Sequence, residues 1–166
     1  MDKDDILTLF EYNYWANRRV LNAANGVELW QFIAPSRLSH GSLHGALVHT
    51  LGAEVVWRLR CKEGISPSTL LAEDEFPTPD ALRKRWDQEE IAMRSYLASL
   101  TSDSLGQPMK YRNTKGVWFE SLLWHVLAHV VNHGTQFRCE AGIALTEYGR
   151  SPGDLDMIAF FREPAV

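Results

Sequence analysis

Cysteine is scarce in this chain. Cys61 and Cys139 are too few for a disulfide framework, so a reducing cytoplasm is the expected location. Long apolar runs are missing too. The longest, Leu122 to Val131, is shorter than the roughly 18 residues of a membrane helix and is broken by His125 and His129. No positively charged leader opens the chain, which reads Met-Asp-Lys-Asp-Asp, so no secretory signal is expected. There is no basic excess: 17 Lys and Arg stand against 21 Asp and Glu, a net charge of -4. Affinity for phosphate backbones comes from clustered cations, which excludes a general nucleic-acid binder. Repeats, low-complexity tracts and dividing linkers are absent, leaving one domain over residues 1–166. Also absent are a P-loop, a G-x-S-x-G elbow and an H-E-x-x-H motif.

What the chain does have is helical periodicity. Ile6, Leu9, Phe10, Asn13, Asn17 and Leu21 share one helical face between Asp4 and Ala24, with Asn25-Gly26 as a stop. A second helix is predicted from Ser39 or Ser42 to Gly64. A third starts at Thr78-Pro79-Asp80, with Thr78 as cap and Pro79 in the first turn. Met109–Tyr111 and Val117–Phe119 flank Asn113-Thr114-Lys115-Gly116 and read as a small hairpin. The longest helical pattern runs from about Glu120 to Tyr148, and Ser151-Pro152-Gly153-Asp154 opens a short terminal helix. The expected fold is all-α: a four-helix bundle with a short extra C-terminal helix and a small hairpin before the last long helix.

The six histidines fall into two groups, 40/44/49 and 125/129/133. Residues four apart differ by about 40° around a helix, so His125, His129 and His133 form one slanting row. Two imidazoles so spaced can grip one tetrahedral ion, and His49 offers a third nitrogen from the second helix. Hydrogen-bonded core histidines are an equally open reading. His44 lies about 140° around the helix from His49 and cannot share its site. His40 and His44 read as helix-start or surface residues, and Cys139 as a small buried apolar group.

Several motifs occur in order: Tyr12 to Asn17 (Tyr-Asn-x-Trp-Ala-Asn), Gly41 to Gly45 followed by His49, and Ala53-Glu54-x-x-Trp57. Phe76-Pro77-Thr78, His129 to Gln136 and Gly149 to Asp156 follow them. Together they resemble the DinB/YfiT-like family of metal-dependent proteins, over nearly the whole chain. The resemblance implies a bundle holding a divalent ion, typically zinc or nickel, by three histidines, and often a homodimer. It also implies a small-molecule substrate, with low-molecular-weight thiols used by characterised relatives. His49 and His133 match ligands of that pattern. The third position holds Phe137, which cannot ligate. Either His129 replaces it, or water or an acid fills the gap, or the metal is lost; the spacing of His129 favours the first. Asn132, Gln136, Phe137, Arg138 and Glu140 are expected beside the metal or facing substrate. Glu140 lies about 10 Å along the axis from His133, too far for shared coordination.

The leading expectation is a metal-dependent enzyme of small molecules, either a thiol transferase or a hydrolase. The alternative is a metal-free, non-catalytic binding bundle. No residue occupies the clear position of a general base.

Overall fold

In the computed structural model, which describes residues 1–163, three of the four long helices begin where a short polar side chain caps them. Helix α1 (Lys3–Ala24) starts at Asp2, which accepts from the Asp5 amide while the Asp5 carboxylate accepts from the Asp2 amide. Helix α2 is the short Leu29–Ile33. Helix α3 (Leu43–Arg58) starts at Ser42, whose hydroxyl accepts from the Gly45 amide at 2.8 Å. It runs on through a π-turn, Leu59–Glu63, and stops at Gly64, whose φ of +67° suits a residue without a side chain. After a 3-10 turn (Glu73–Glu75), α4 (Pro79–Ser99) is capped by Thr78. The short α5 (Ser102–Leu105) precedes strands β1 (Pro108–Arg112) and β2 (Trp118–Leu122), which pair antiparallel. Helix α6 (Leu123–Glu147) follows directly, and α7 (Met157–Arg162) ends the described chain.

The four long helices neighbour one another in the cyclic order α1, α4, α3, α6. Side-chain pairs give their directions. Helix α1 is antiparallel to α4, since Lys3 reaches the Ala98 carbonyl and Asn22 meets Arg83. Helix α3 is parallel to α4, with Glu54 on Trp86 and Arg58 on Glu89. Helix α3 is antiparallel to α6, with Ser39 on Glu140 at one end and Trp57 on His129 at the other. The helices that follow each other as α1 and α3, and as α4 and α6, are therefore diagonal. Residues 25–42 and 100–122 make these crossings and carry α2, α5 and the hairpin.

The core has two apolar parts. One gathers Ile6, Phe10, Met93, Leu97, Leu127 and Val130; the other gathers Val20, Leu21, Leu47, Leu51, Leu82 and Leu145. Between them lies a polar layer. Glu54 accepts from Asn13 Nδ2 at 2.9 Å, Asn17 Nδ2 at 3.0 Å and Trp86 Nε1 at 2.9 Å. Arg138, only 2% exposed, donates through Nη1 to both asparagine Oδ1 atoms and through Nη2 to Thr135. A buried charge without such partners would cost several kcal/mol. Two carboxamides thus bridge a buried carboxylate to a buried guanidinium.

Some expectations need correcting. The long helix starts at Leu123, because residues 118–122 are taken by β2 and the Leu123 amide donates to the Gln107 carbonyl. Helices α2 and α5 had no clear periodic signal in the sequence. Cys139 is exposed rather than buried. His44 is buried against Phe32, with its Nδ1 3.5 Å from Glu73. Among the described residues, no helix is long and apolar enough to cross a membrane.

Candidate histidine site

His49 lies in the middle of α3 and His133 in the middle of α6. The antiparallel packing of these helices brings the two together although they are 84 residues apart. Their Nε2 atoms face each other at 3.2 Å. Both rings are half-buried, and both are held well below the usual imidazole range, at about 4. Burial is the main cause for each; the neighbouring His40 adds to it at His49, and His49, His129 and His40 add to it at His133. At neutral pH both rings are uncharged, the form that ligates a metal.

His40 was expected at the surface, but it stacks on His49 with centroids 3.7 Å apart and planes 17° apart. The local backbone brings it there. Gly41 takes a φ of +75°, and the Ser36 amide donates to the Gly41 carbonyl at 2.7 Å, folding the segment back over α3. Glu140 holds that segment from α6 by accepting from both the Ser39 amide and the Ser39 hydroxyl. Its place is therefore beside the turn that presents His40.

Phe137 stands one turn beyond His133 on α6. Its ring lies 4.5 Å from that of His49, 4.6 Å from that of His133 and 5.1 Å from that of His40. It is buried and walls the cluster on one side. His129 is one turn before His133, with ring centroids 5.6 Å apart, and it packs edge-on to Trp57 at 5.3 Å. Burial lowers its pKa. Asn132, Gln136 and His125 are exposed on α6, while Arg138 points away into the polar core layer.

A divalent ion can be tested against this geometry. Two imidazole nitrogens at about 2.05 Å from a tetrahedral ion are about 3.3 Å apart, close to the His49–His133 separation. The same separation suits one N–H···N hydrogen bond. His40 cannot complete the set as it lies, because two stacked and nearly parallel rings do not direct their in-plane lone pairs at one point. Among the described residues, no three His, Cys, Asp or Glu side chains converge as a metal group. The donor set thus fits an ion at two positions and not at a third.

The polar layer was the part of the molecule that sequence reading missed. Its signal was present: Asn13 and Asn17 sit at i and i+4 on the apolar face of α1, where uncompensated carboxamides are costly. Their partners, Glu54 and Arg138, lie far away in the chain.

A predominantly helical bundle with paired histidines facing each other across two antiparallel helices defines the class. A family profile described as DinB family matches residues 1–164, and the chain belongs to that family. Among curated proteins it is similar to the protein named "Protein DinB" of Bacillus subtilis (strain 168). The two are 24% identical over 172 residues, covering 95% of each chain.

Proposed function

We propose that this DinB-family chain acts on a small molecule in the cytoplasm through the cluster around His49 and His133, with a divalent ion, zinc or nickel, as its cofactor. The observation that carries this reading is the pair of neutral Nε2 atoms facing each other at 3.2 Å. In the proposal, His129, the next histidine on the row before His133, would be the third ligand, for which its ring would have to leave Trp57 and turn toward the pair. A divalent ion held there would supply Lewis-acid polarisation or lower the pKa of a water or thiol. Transfer of a low-molecular-weight thiol is the reaction class the family resemblance favours, with hydrolysis second. Phe137 and the His40 stack form the wall of the site and keep water from one side of the pair.

A second reading rests on the same wall. Phe137 occupies the side from which a further ligand would come, which favours a metal-free binding bundle. Calorimetric titration with zinc and nickel separates the two. The first reading expects one ion per chain in the wild type, loss of binding in His49→Ala and His133→Ala, and at least tenfold weakening in His129→Ala. Unchanged affinity in His129→Ala removes that residue from the ligand set. No binding in the wild type, together with gain in Phe137→His, establishes the second reading instead.

A further inference from the structure

A metal-binding imidazole is ordinarily oriented through its second ring nitrogen, which donates to a carboxylate, a carbonyl or water. The protein does not orient His49 in that way. Among the described residues the His49 ring has one hydrogen-bond partner, His133, and that bond uses Nε2. Nor does the side-chain torsion fix the ring, because the χ2 preference of an imidazole is broad. The contacts of His49 are instead with other rings. His40 lies flat on it, with centroids 3.7 Å apart and planes 17° apart, and Phe137 meets it at 4.5 Å with planes 65° apart.

His40 itself lies outside the helices, on the turn before α3. Leu38 packs this turn against the apolar core. The Ser39 amide and hydroxyl donate to the Glu140 carboxylate at 2.9 and 2.6 Å. Among the described residues, no other hydrogen bond ties residues 35–41 to the rest of the chain. The turn also presses against α3 at Gly45. A Cβ there would come within 2.2 Å of the His40 carbonyl oxygen, so no larger residue fits while His40 keeps its place. A carboxylate on α6 and a bare backbone on α3 thus fix His40 from two sides.

We infer that His40 is a positioning residue for the histidine pair, acting through the flat face of its ring, and that Glu140 acts through His40. With the stack in place, turning the His49 ring about its Cβ–Cγ bond drives it into the His40 ring. The Nε2 atom therefore stays aimed at His133, 3.2 Å away. Without the stack the ring is free to turn, and that approach is lost. Positioning differs from ligation in what it asks of residue 40. A ligand needs a nitrogen there, whereas a support needs only a flat ring, which phenylalanine also supplies. The inference rests on the preceding reading only in taking His49 and His133 as the working pair, and it needs no ion.

Nuclear magnetic resonance of isotope-labelled, full-length protein, stripped of metal with a chelator, tests this at pH 7.5, where both rings are neutral. The readout is the coupling between the two Nε2 nuclei across their N–H···N hydrogen bond, which exists only while they face each other. His40→Ala is expected to lose the coupling and His40→Phe to keep it, with thermal midpoints of both close to the wild type. Glu140→Ala should reduce it at least twofold. Glu140→Gln, which keeps an acceptor oxygen for Ser39, should lie between Glu140→Ala and the wild type. The Glu140 pair also serves where His40→Ala folds poorly, since full coupling in Glu140→Ala would overturn the assignment. Coupling retained in His40→Ala, lost in His40→Phe, or absent from the wild type would each overturn it as well. Zinc takes no part in the readout, so a chain that binds no ion can still show the whole pattern. A chain that binds zinc yet keeps its coupling in His40→Ala fails this inference alone.

Discussion

The most deeply buried charges of this molecule are held by several hydrogen bonds each. Arg138 and Glu54 share the donors and acceptors of Asn13 and Asn17, so removing one member leaves the others unsatisfied. Arg138→Met should lower unfolding free energy by about 3 kcal/mol in urea denaturation. The double variant Glu54→Gln/Arg138→Met should lose less than the sum of its single variants, because the second change removes the charge stranded by the first. Simple additivity would mean that the two groups do not interact. His49 and His133 respond to acid. In the unfolded chain an imidazole titrates near 6.5, whereas in the fold these two titrate at about 4. Between those values the unfolded chain binds more protons, so stability is full above about pH 6.5 and falls as pH drops toward 4. Urea midpoints of chelator-treated protein at pH 7.5, 6 and 4.5 should decline in that order. A His49→Gln/His133→Gln variant should decline less, and equal slopes would place the acid sensitivity elsewhere.

Caps and turns decide how the elements present those residues. Ser42 caps the helix that carries His49 and is itself buried. Ser42→Ala should cost about 1 kcal/mol, seen as a fall of a few degrees in thermal midpoint. A midpoint unchanged within error would show that tertiary packing alone fixes the start of α3. Such signals were legible in the sequence. The Thr78-Pro79 start, the Gly64 stop and the Asn113–Gly116 turn all lie where local backbone chemistry put them. The five-residue helix α2 and the four-residue helix α5 are too short to show a 3.6-residue period. At the site, the helical row of His129 and His133 was readable because it is a property of one element. The stacking of His40 was not, since it depends on a turn at Gly41 and an anchor on Glu140, a hundred residues away. Arg138 was misplaced for the same reason: a sequence names a side chain but not the helix its far end reaches.

At the scale of the whole chain, α6 has α3 on one side and α1 on the other, and its two sides hold different chemistry. Gly134, next to His133, faces the α1 side. A Cβ there would lie 2.7 Å from Arg138 Nη1 and 2.9 Å from Asn13 Oδ1. Alanine favours a helix over glycine by about 1 kcal/mol, but both crowded atoms are held by hydrogen bonds and cannot retreat freely. Gly134→Ala should therefore be destabilising by about 1–2 kcal/mol net; greater stability in urea denaturation would show that the layer has slack. The polar layer also works as an indexing pin. Sliding α6 by one turn, about 5.4 Å, would drive Arg138 into an apolar half of the core and leave both asparagines facing hydrocarbon. The height at which His133 meets His49 is thus set from the opposite flank of the helix. Changes on α1, out of reach of any imidazole, should surface in experiments as defects of the histidine pair.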